Sequence, residues 1–175
     1  DARVFLDVDD LKEGKGAEYV DVSAVTLVLC SAGYFQSPNC MREILRAVVT
    51  AKPIVTLLEP EVKHGGLEEG EIHTQLLEAV GNYGKWGLTK EVESWGYSMP
   101  APTQIADALF AGEINEWNRI GGYQDITMRL IANSLLPENH GPTFVQGELI
   151  SQPPKLLDPP AAQYHIYCSD NNPGA

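Results

Sequence analysis

The sequence predicts an α/β domain with a parallel sheet. Two short apolar runs, at residues 24–30 and 53–58, flank the best helical pattern of the chain. Their nearly continuous apolar character is typical of strands that are covered on both faces. A strand, a helix and a strand at this spacing form a βαβ unit, which requires parallel strands and a right-handed crossover.

The N-terminal part predicts one more strand of the same sheet. Residues 3–9 form a short apolar run that ends in acidic residues and a glycine-containing loop. A short helix is predicted at residues 17–23. We therefore expect residues 3–9, 24–30 and 53–58 to be adjacent parallel strands.

The helix between the two central strands is predicted at residues 39–51. Ser37 can cap it, and Pro38 suits its first turn. Apolar residues recur on one side at helical spacing, which predicts the face that packs on the sheet. The members of this stripe are Met41, Ile44, Leu45 and Val48.

Glu43 lies on the second turn of the same helix, off the apolar stripe and alongside Cys40 and Ala47. From the residue pattern alone, a solvated helix glutamate is the favoured interpretation. However, ligands collect at the carboxyl ends of strands in open parallel sheets, and this helix begins near one of them. A carboxylate here can therefore face a cleft.

The chain beyond residue 60 predicts helices at residues 67–80, 103–111 and 123–136. Several aromatic residues lie among glycines and prolines in this part, and they could form a ligand box. We favour rings that pack irregular segments onto the edge of the sheet. The residues of this group are Tyr83, Trp86, Trp95, Tyr97 and Trp117.

The domain organisation predicted from these patterns is an α/β domain with a helical extension at residues 1–136 and a proline-rich linker or extended wrap at residues 137–160. Residues 161–175 contain one more strand-like run, 164–169, followed by turn residues. Because both ends look cut, we expect the chain to be a piece of a longer polypeptide.

Composition excludes several classes of function. The 175 residues include 12 Lys+Arg and 24 Asp+Glu, which gives a formal net charge of −12. Such a chain is poorly suited to neutralise nucleic-acid phosphates or to bind an anionic membrane surface. No apolar run approaches the roughly 20 residues that span a bilayer.

Cysteine and histidine usage predicts a reduced, cytoplasmic protein without a metal site. The three cysteines, Cys30, Cys40 and Cys168, show no paired spacing, and the four histidines have no metal-ligand spacing. Cys40 has no histidine nearby in sequence to activate it, so we interpret it as a small apolar residue rather than a nucleophile.

Four ordered blocks resemble Toll/interleukin-1 receptor (TIR) domains over about residues 3–60. The run VFLDVDDLKEGK at residues 4–15 is similar to the second TIR strand and its BB loop, and residues 23–31 are similar to the third strand. Residues 33–43, GYFQSPNCMRE, resemble the segment in which a cysteine precedes a glutamate by three residues. Residues 47–58 continue the match into the next strand.

The resemblance implies a flavodoxin-like parallel sheet with helices on both faces, used in signalling, innate immunity or defence. It also implies that the first TIR strand is missing before residue 1. Residues 164–175 resemble that strand and its loop, so they either begin a second TIR-like repeat or fold back beside residues 3–9.

Some TIR families hydrolyse NAD⁺ to nicotinamide and ADP-ribose products, and Glu43 matches their catalytic glutamate. Asp7, Leu11 and Gly14 match the loop that shapes the cleft, and Ser31 matches the end of the third strand. With Cys40 these residues are expected to contact the nucleotide, and NAD⁺ is then a substrate rather than a cofactor.

Two alternatives stay open at this point. Many TIR domains are adaptors that act through self-association with other TIR domains, and here the acidic BB-like loop at residues 9–16 is a suitable docking surface. An unrelated receiver domain would use Asp7, Asp9 and Asp10 at a strand end. The sequence run at residues 33–40 is not found in receiver domains, which disfavours the receiver alternative.

Overall fold

The computed structural model describes residues 16–112 and 114–135 of the chain. The predicted strand at 3–9, the linker at 137–160 and the strand at 164–169 lie outside the described residues. The same holds for the three cleft residues Asp7, Leu11 and Gly14, so these predictions stay predictions.

A three-stranded parallel sheet forms the centre of the described part. Strand β1 (Thr26–Cys30) pairs with β2 (Ile54–Leu58), and β2 pairs with β3 (Ile114–Glu116), which gives the order β1-β2-β3. The parallel pairing of the first two strands confirms the βαβ prediction. Strand β3 was not predicted, because three residues are too few to show a strand period.

Six α-helices and a 3₁₀ turn (Val62–His64) surround this sheet in the described residues. All five predicted helices are present, with ends that differ from the predicted ends by at most three residues, and the short helix α4 was not predicted. The helices are α1 (Gly16–Val22), α2 (Pro38–Val49), α3 (Glu69–Tyr83), α4 (Leu88–Ser94), α5 (Pro102–Phe110) and α6 (Gly121–Leu135).

Helix α2 begins as its sequence predicts. The Ser37 hydroxyl accepts a hydrogen bond from the Cys40 amide at 3.4 Å, and Pro38 occupies the first turn. The helix ends two residues earlier than predicted because the backbone turns left-handed at Ala51, where φ is 51°. The Lys52 amide then donates to the Ala47 carbonyl at 2.8 Å, which closes the helix end.

The main hydrophobic core lies between α2 and one face of the sheet. Met41, Ile44 and Leu45 are fully buried in one cluster with Val28 of β1. Thr56 of β2 is in register with Val28 and therefore lies on the same face. Its hydroxyl donates to the Leu109 carbonyl of α5 at 2.6 Å, which places α5 on this face as well.

Helix α6 covers the opposite face at β2 and β3, whereas Leu27 and Leu29 of β1 on that face are 42% and 41% exposed. Leu57 pairs with Asn115 in the register of β2 and β3, so these two side chains share the other face. The Asn115 amide donates to the Ser134 hydroxyl of α6 at 3.2 Å. Helices thus lie on both faces of a parallel sheet, an α/β arrangement compatible with a flavodoxin-like fold.

Ala47 is placed differently from the prediction. The sequence pattern put it beside Glu43 and Cys40, away from the packing stripe, but its side chain is fully buried. Helix α1 packs against α2, in addition to the packing of α2 on the sheet. Ala17 and Val20 of α1 are buried as well. A second buried side of α2 is therefore present that the apolar stripe did not indicate.

The aromatic residues of the second half mostly serve packing. Tyr83 is buried, and Trp86 and Trp95 pack against the main core. These rings belong to helices α3 and α4 or to the residues that follow them, rather than to irregular segments at the sheet edge. Tyr97 differs, since it is one of the exposed large side chains.

The turn after β2 requires glycine at position 66. A Cβ atom there would lie 2.6 Å from the Glu59 carbonyl oxygen and 2.7 Å from the Glu61 carbonyl carbon. We expect Gly66→Ala to lower the free energy of unfolding by roughly 1–3 kcal/mol in urea titrations, because backbone atoms cannot move aside cheaply.

Gly70→Ala is the matched control. Gly70 lies in α3, and a Cβ atom added to it would have open space, with no contact within 4 Å. Alanine is there the better helix former by up to about 1 kcal/mol, so stability should stay equal or rise. Equal effects of the two substitutions would contradict the steric account of Gly66.

Candidate functional site

Glu43 lies on the second turn of α2, near the carboxyl end of β1. Glu43 is half-buried. By contrast, two residues of the apolar stripe on the same helix are fully buried, Met41 and Ile44. Glu43 is therefore less buried than these two residues of the stripe. The helix presents this carboxylate at the boundary between core and solvent.

The loop between β1 and α2 brings Tyr34 to the same place. The Tyr34 amide donates to the Ser31 carbonyl at 3.0 Å, and the Ser37 amide donates to the Tyr34 carbonyl at 3.2 Å. The Tyr34 ring meets Phe35 edge to face, with 5.4 Å between centroids and 72° between planes. Two consecutive turns and a ring contact thus fix the position of Tyr34.

Tyr34, Cys40 and Glu43 form one electrostatic group. Burial raises the pKa of the Tyr34 hydroxyl well above its usual value, and Cys40, Glu43 and Cys30 raise it further. The residue keeps some solvent contact, but its hydroxyl end is deep in the protein. Tyr34 therefore stays a neutral phenol and a hydrogen-bond donor at neutral pH.

Cys30 at the end of β1 is buried against this group. Burial raises the pKa of its thiol to about 12, so the thiolate form is negligible near pH 7. No disulfide joins it to another cysteine of the described residues. Cys30 therefore acts as a small apolar residue of the core.

The predicted site residues are only partly brought together by the described structure. Ser31 is linked to Tyr34 through the turn, and Tyr34 neighbours both Cys40 and Glu43. The predicted cleft shared by Glu43, Ser31 and Asp7 depends on a residue outside the described range and stays a prediction. Tyr34 was not among the predicted site residues, although it is part of the run that carries the resemblance.

Two arginines hold α2 between its neighbours. Arg42 binds both carboxylate oxygens of Glu91 in α4 at 2.9 and 2.8 Å. Arg46 binds Asp21 of α1 through two nitrogens at 2.7 and 2.8 Å. The Arg46–Asp21 pair is bidentate, whereas Arg42 uses Nε alone. The two arginines are four residues apart on one side of α2 and connect it to α4 and α1.

A second carboxylate at the carboxyl edge of the sheet is engaged in an ion pair. Glu59 directly follows β2, and its side chain is 2% exposed. The Nε atom of Arg119 lies 3.1 and 3.3 Å from its two oxygens, and the second guanidinium nitrogen also binds Glu59. The Glu61 amide donates to it at 3.0 Å. No pattern in the sequence indicates the partner of Glu59, which is 60 residues away.

The hydrogen bonds from Arg119 lower the pKa of the Glu59 carboxyl below its ordinary value of 4.5. The Arg119 side chain shields the Glu59 carboxylate from direct solvent contact. However, the ion pair lies at the rim of the sheet, and few other protein atoms cover it. Water therefore screens its Coulomb energy, and its contribution to stability is smaller than that of a deep ion pair.

A shallow cleft of about 210 Å³ opens beside this pair and is lined by residues of the two loops, among them Glu61, Trp117 and Asn118. Glu43 is on the wall neither of this cleft nor of a larger one beside α3. Within residues 16–112 and 114–135, no three His, Cys, Asp or Glu residues are grouped as a metal site would need. No helix in the same ranges is long and apolar enough to cross a bilayer.

Comparisons with family models, with curated proteins and with solved structures each found no match to this chain.

Arg119→Gln should lower the melting temperature at pH 7 by a few degrees, because the substitution removes the guanidinium hydrogen bonds that stabilise the charged form of Glu59. The folded-state pKa of Glu59 is depressed, so its stabilising contribution is present above 4.5 and is lost as the pH falls through the folded value. The difference between variant and wild type should therefore shrink below pH 4.5 in thermal melts. Arg129→Gln, at an exposed position of α6, is the control. A difference that stays constant from pH 7 to about pH 3 would contradict the assignment.

Proposed function

We propose that this chain is a TIR-type signalling or defence module that hydrolyses NAD⁺ to nicotinamide and ADP-ribose products, with Glu43 as its catalytic residue. The proposal rests on the ordered resemblance of residues 3–60 to TIR domains. The observation that carries it is the position of Glu43, half-buried beside the neutral phenol of Tyr34 at the carboxyl end of a parallel strand.

The chemistry requires only one carboxylate. The bond between ribose C1′ and the nicotinamide nitrogen breaks, and its electron pair stays on nicotinamide, which leaves as a neutral molecule without a general acid. Glu43 would hold the ribose and stabilise the oxocarbenium-like charge at C1′. Water then adds to C1′ and releases one proton, so NAD⁺ and water give ADP-ribose, nicotinamide and H⁺.

Tyr34 and the buried thiol of Cys30 fit this proposal. A buried phenol next to Glu43 can donate a hydrogen bond to the carboxylate and hold its orientation. A free thiol in the core suits a reducing compartment, where NAD⁺ is abundant, so we place the protein in the cytoplasm. The reaction as written needs no cofactor.

Glu43→Gln tests this function. The amide keeps the size of the side chain but removes its charge, so nicotinamide release from NAD⁺ should fall at least about 100-fold, the scale on which single electrostatic groups act. The melting temperature should change little, because Glu43 lies off the packing stripe. Chromatographic quantification of nicotinamide measures the rate.

Glu93→Gln is the control, since Glu93 is an exposed helix glutamate of α4. It should leave turnover unchanged. A Glu43→Gln protein that keeps most of its turnover removes the catalytic assignment. A wild-type chain that releases no nicotinamide removes the hydrolase function and leaves the interaction module below.

A non-catalytic TIR interaction module is the second candidate, and an apolar face of α6 favours it. Tyr123, Ile126 and Leu130 are 56%, 53% and 51% exposed and lie within about 60° on one side of the helix. Large apolar side chains grouped in this way mark protein contacts. We propose a second copy of the chain as the occupant, because a face without charged side chains can pair with its own copy.

Ile126→Glu should shift the chain toward the monomer in sedimentation experiments, because a paired face would bury the new charge. Met128→Glu is the matched control: Met128 is equally exposed on α6, but it lies about 140° from Tyr123. Identical sedimentation of wild type and both variants would remove α6 as the contact face.

A further inference from the structure

A second cleft lies away from Glu43, between α3 and the loop that follows β1. Its volume is about 330 Å³. Four α3 residues, spaced three and four apart along one side of the helix, form one wall: Gln75, Glu78, Ala79 and Asn82. Phe35 and Gln36 form the opposite wall, and the volume is at the lower end of small-molecule sites.

Trp86 closes one end of this cleft. Its amide donates to the Asn82 carbonyl at 2.9 Å, which continues the last turn of α3 by one more hydrogen bond. Gly87 follows with φ of 76°, a left-handed conformation that turns the chain away into α4. The indole thus stands against the cleft and still packs on the core.

The lining chemistry selects a class of ligand. The half-buried indole of Trp86 offers a flat apolar surface, Phe35 is 1% exposed, and three side-chain amides lie around the two rings. Among the described residues that line the cleft, Glu78 alone is charged, so an anionic group such as a phosphate finds no cation here. A purely aliphatic ligand would cover the amides without giving them partners.

Gln75 adds a specific unsatisfied group. Its Oε1 atom is out of reach of solvent and has no hydrogen-bond partner in the described structure. An acceptor in this state costs free energy that one donor would recover. Gln75 also lines the cleft. A half-turn of its side-chain amide would exchange its nitrogen and oxygen, and an N–H group of a ligand could then reach the oxygen.

We propose that the cleft between α3 and the β1–α2 loop binds a neutral, planar heteroaromatic base that carries an exocyclic N–H group. The base stacks on Trp86, donates its N–H to Gln75, and exchanges further hydrogen bonds with the amides of Asn82 and Gln36. This site is independent of Glu43 and of NAD⁺ hydrolysis. One bicyclic base fits its volume, whereas a dinucleotide does not.

Adenine is the probe, titrated into the full chain and followed by nuclear magnetic resonance of the Trp86 indole and the Asn82 side-chain amide. Both signals should shift and saturate. Purine, which lacks the exocyclic amine, should bind roughly three- to tenfold more weakly, the effect of one hydrogen bond. Adenosine monophosphate should also bind more weakly, because its phosphate meets only Glu78.

Gln75→Met separates binding from folding. The variant removes the unpaired oxygen at nearly constant size, so its melting temperature should equal or exceed that of wild type, while adenine affinity falls roughly three- to tenfold. Asn82→Ala, at an exposed position, should weaken binding as well, and Gln124→Met on α6 is the matched control that should not.

Three results would overturn the proposal. Trp86 and Asn82 signals that do not respond to adenine would show that the cleft binds no base. Gln75→Met with wild-type affinity would remove the proposed hydrogen bond. A large loss of stability in Gln75→Met would show that the oxygen already has a structural role. None of these results depends on whether Glu43 hydrolyses NAD⁺.

Discussion

The burial of one side of α2 against the sheet determines how the rest of the described structure is arranged. Met41, Ile44 and Leu45 are fully buried, and the sheet face that receives them carries Val28 and Cys30. This contact fixes the rotation of α2 about its axis. Since a short loop joins β1 to α2, the same rotation places Glu43 beside Tyr34 of that loop.

Three arginines of the described residues are paired with carboxylates that hold helices and loops in place. Arg42 and Arg46 connect α2 to α4 and α1, and Arg119 encloses Glu59 at the sheet edge. Arg46 also lies over the Trp95 ring, at 4.9 Å from its centroid. With a net charge of −12, the chain commits these guanidinium groups to internal partners. Anionic ligands are therefore disfavoured wherever a site lacks a cation of its own.

Local patterns predicted α2 and its two flanking strands well. The cap at Ser37, Pro38 in the first turn and the apolar stripe are all encoded within fifteen residues, and so is the place of Glu43 off that stripe. Ala47 was predicted to lie away from the packed side of α2, because the apolar stripe indicates only the side that faces the sheet. The prediction was wrong because α1 also packs against α2. The ion pair of Glu59 with Arg119 joins residues 60 apart, and no local pattern indicates such a partner. The α3 cleft was missed for the same reason, since its two walls come from distant segments.

The loops at the carboxyl edge are joined to one another as well as to the sheet. The Ala32 amide donates to the Gly65 carbonyl at 2.9 Å, and the Gly66 amide donates to the Glu61 carbonyl at 3.0 Å. Through Glu59 and Arg119 this connection continues to the segment after β3. The conformational entropy of these loops is thus lost once, when the chain folds. A ligand that meets this edge encounters segments already ordered, so little of its binding free energy is spent on immobilising them.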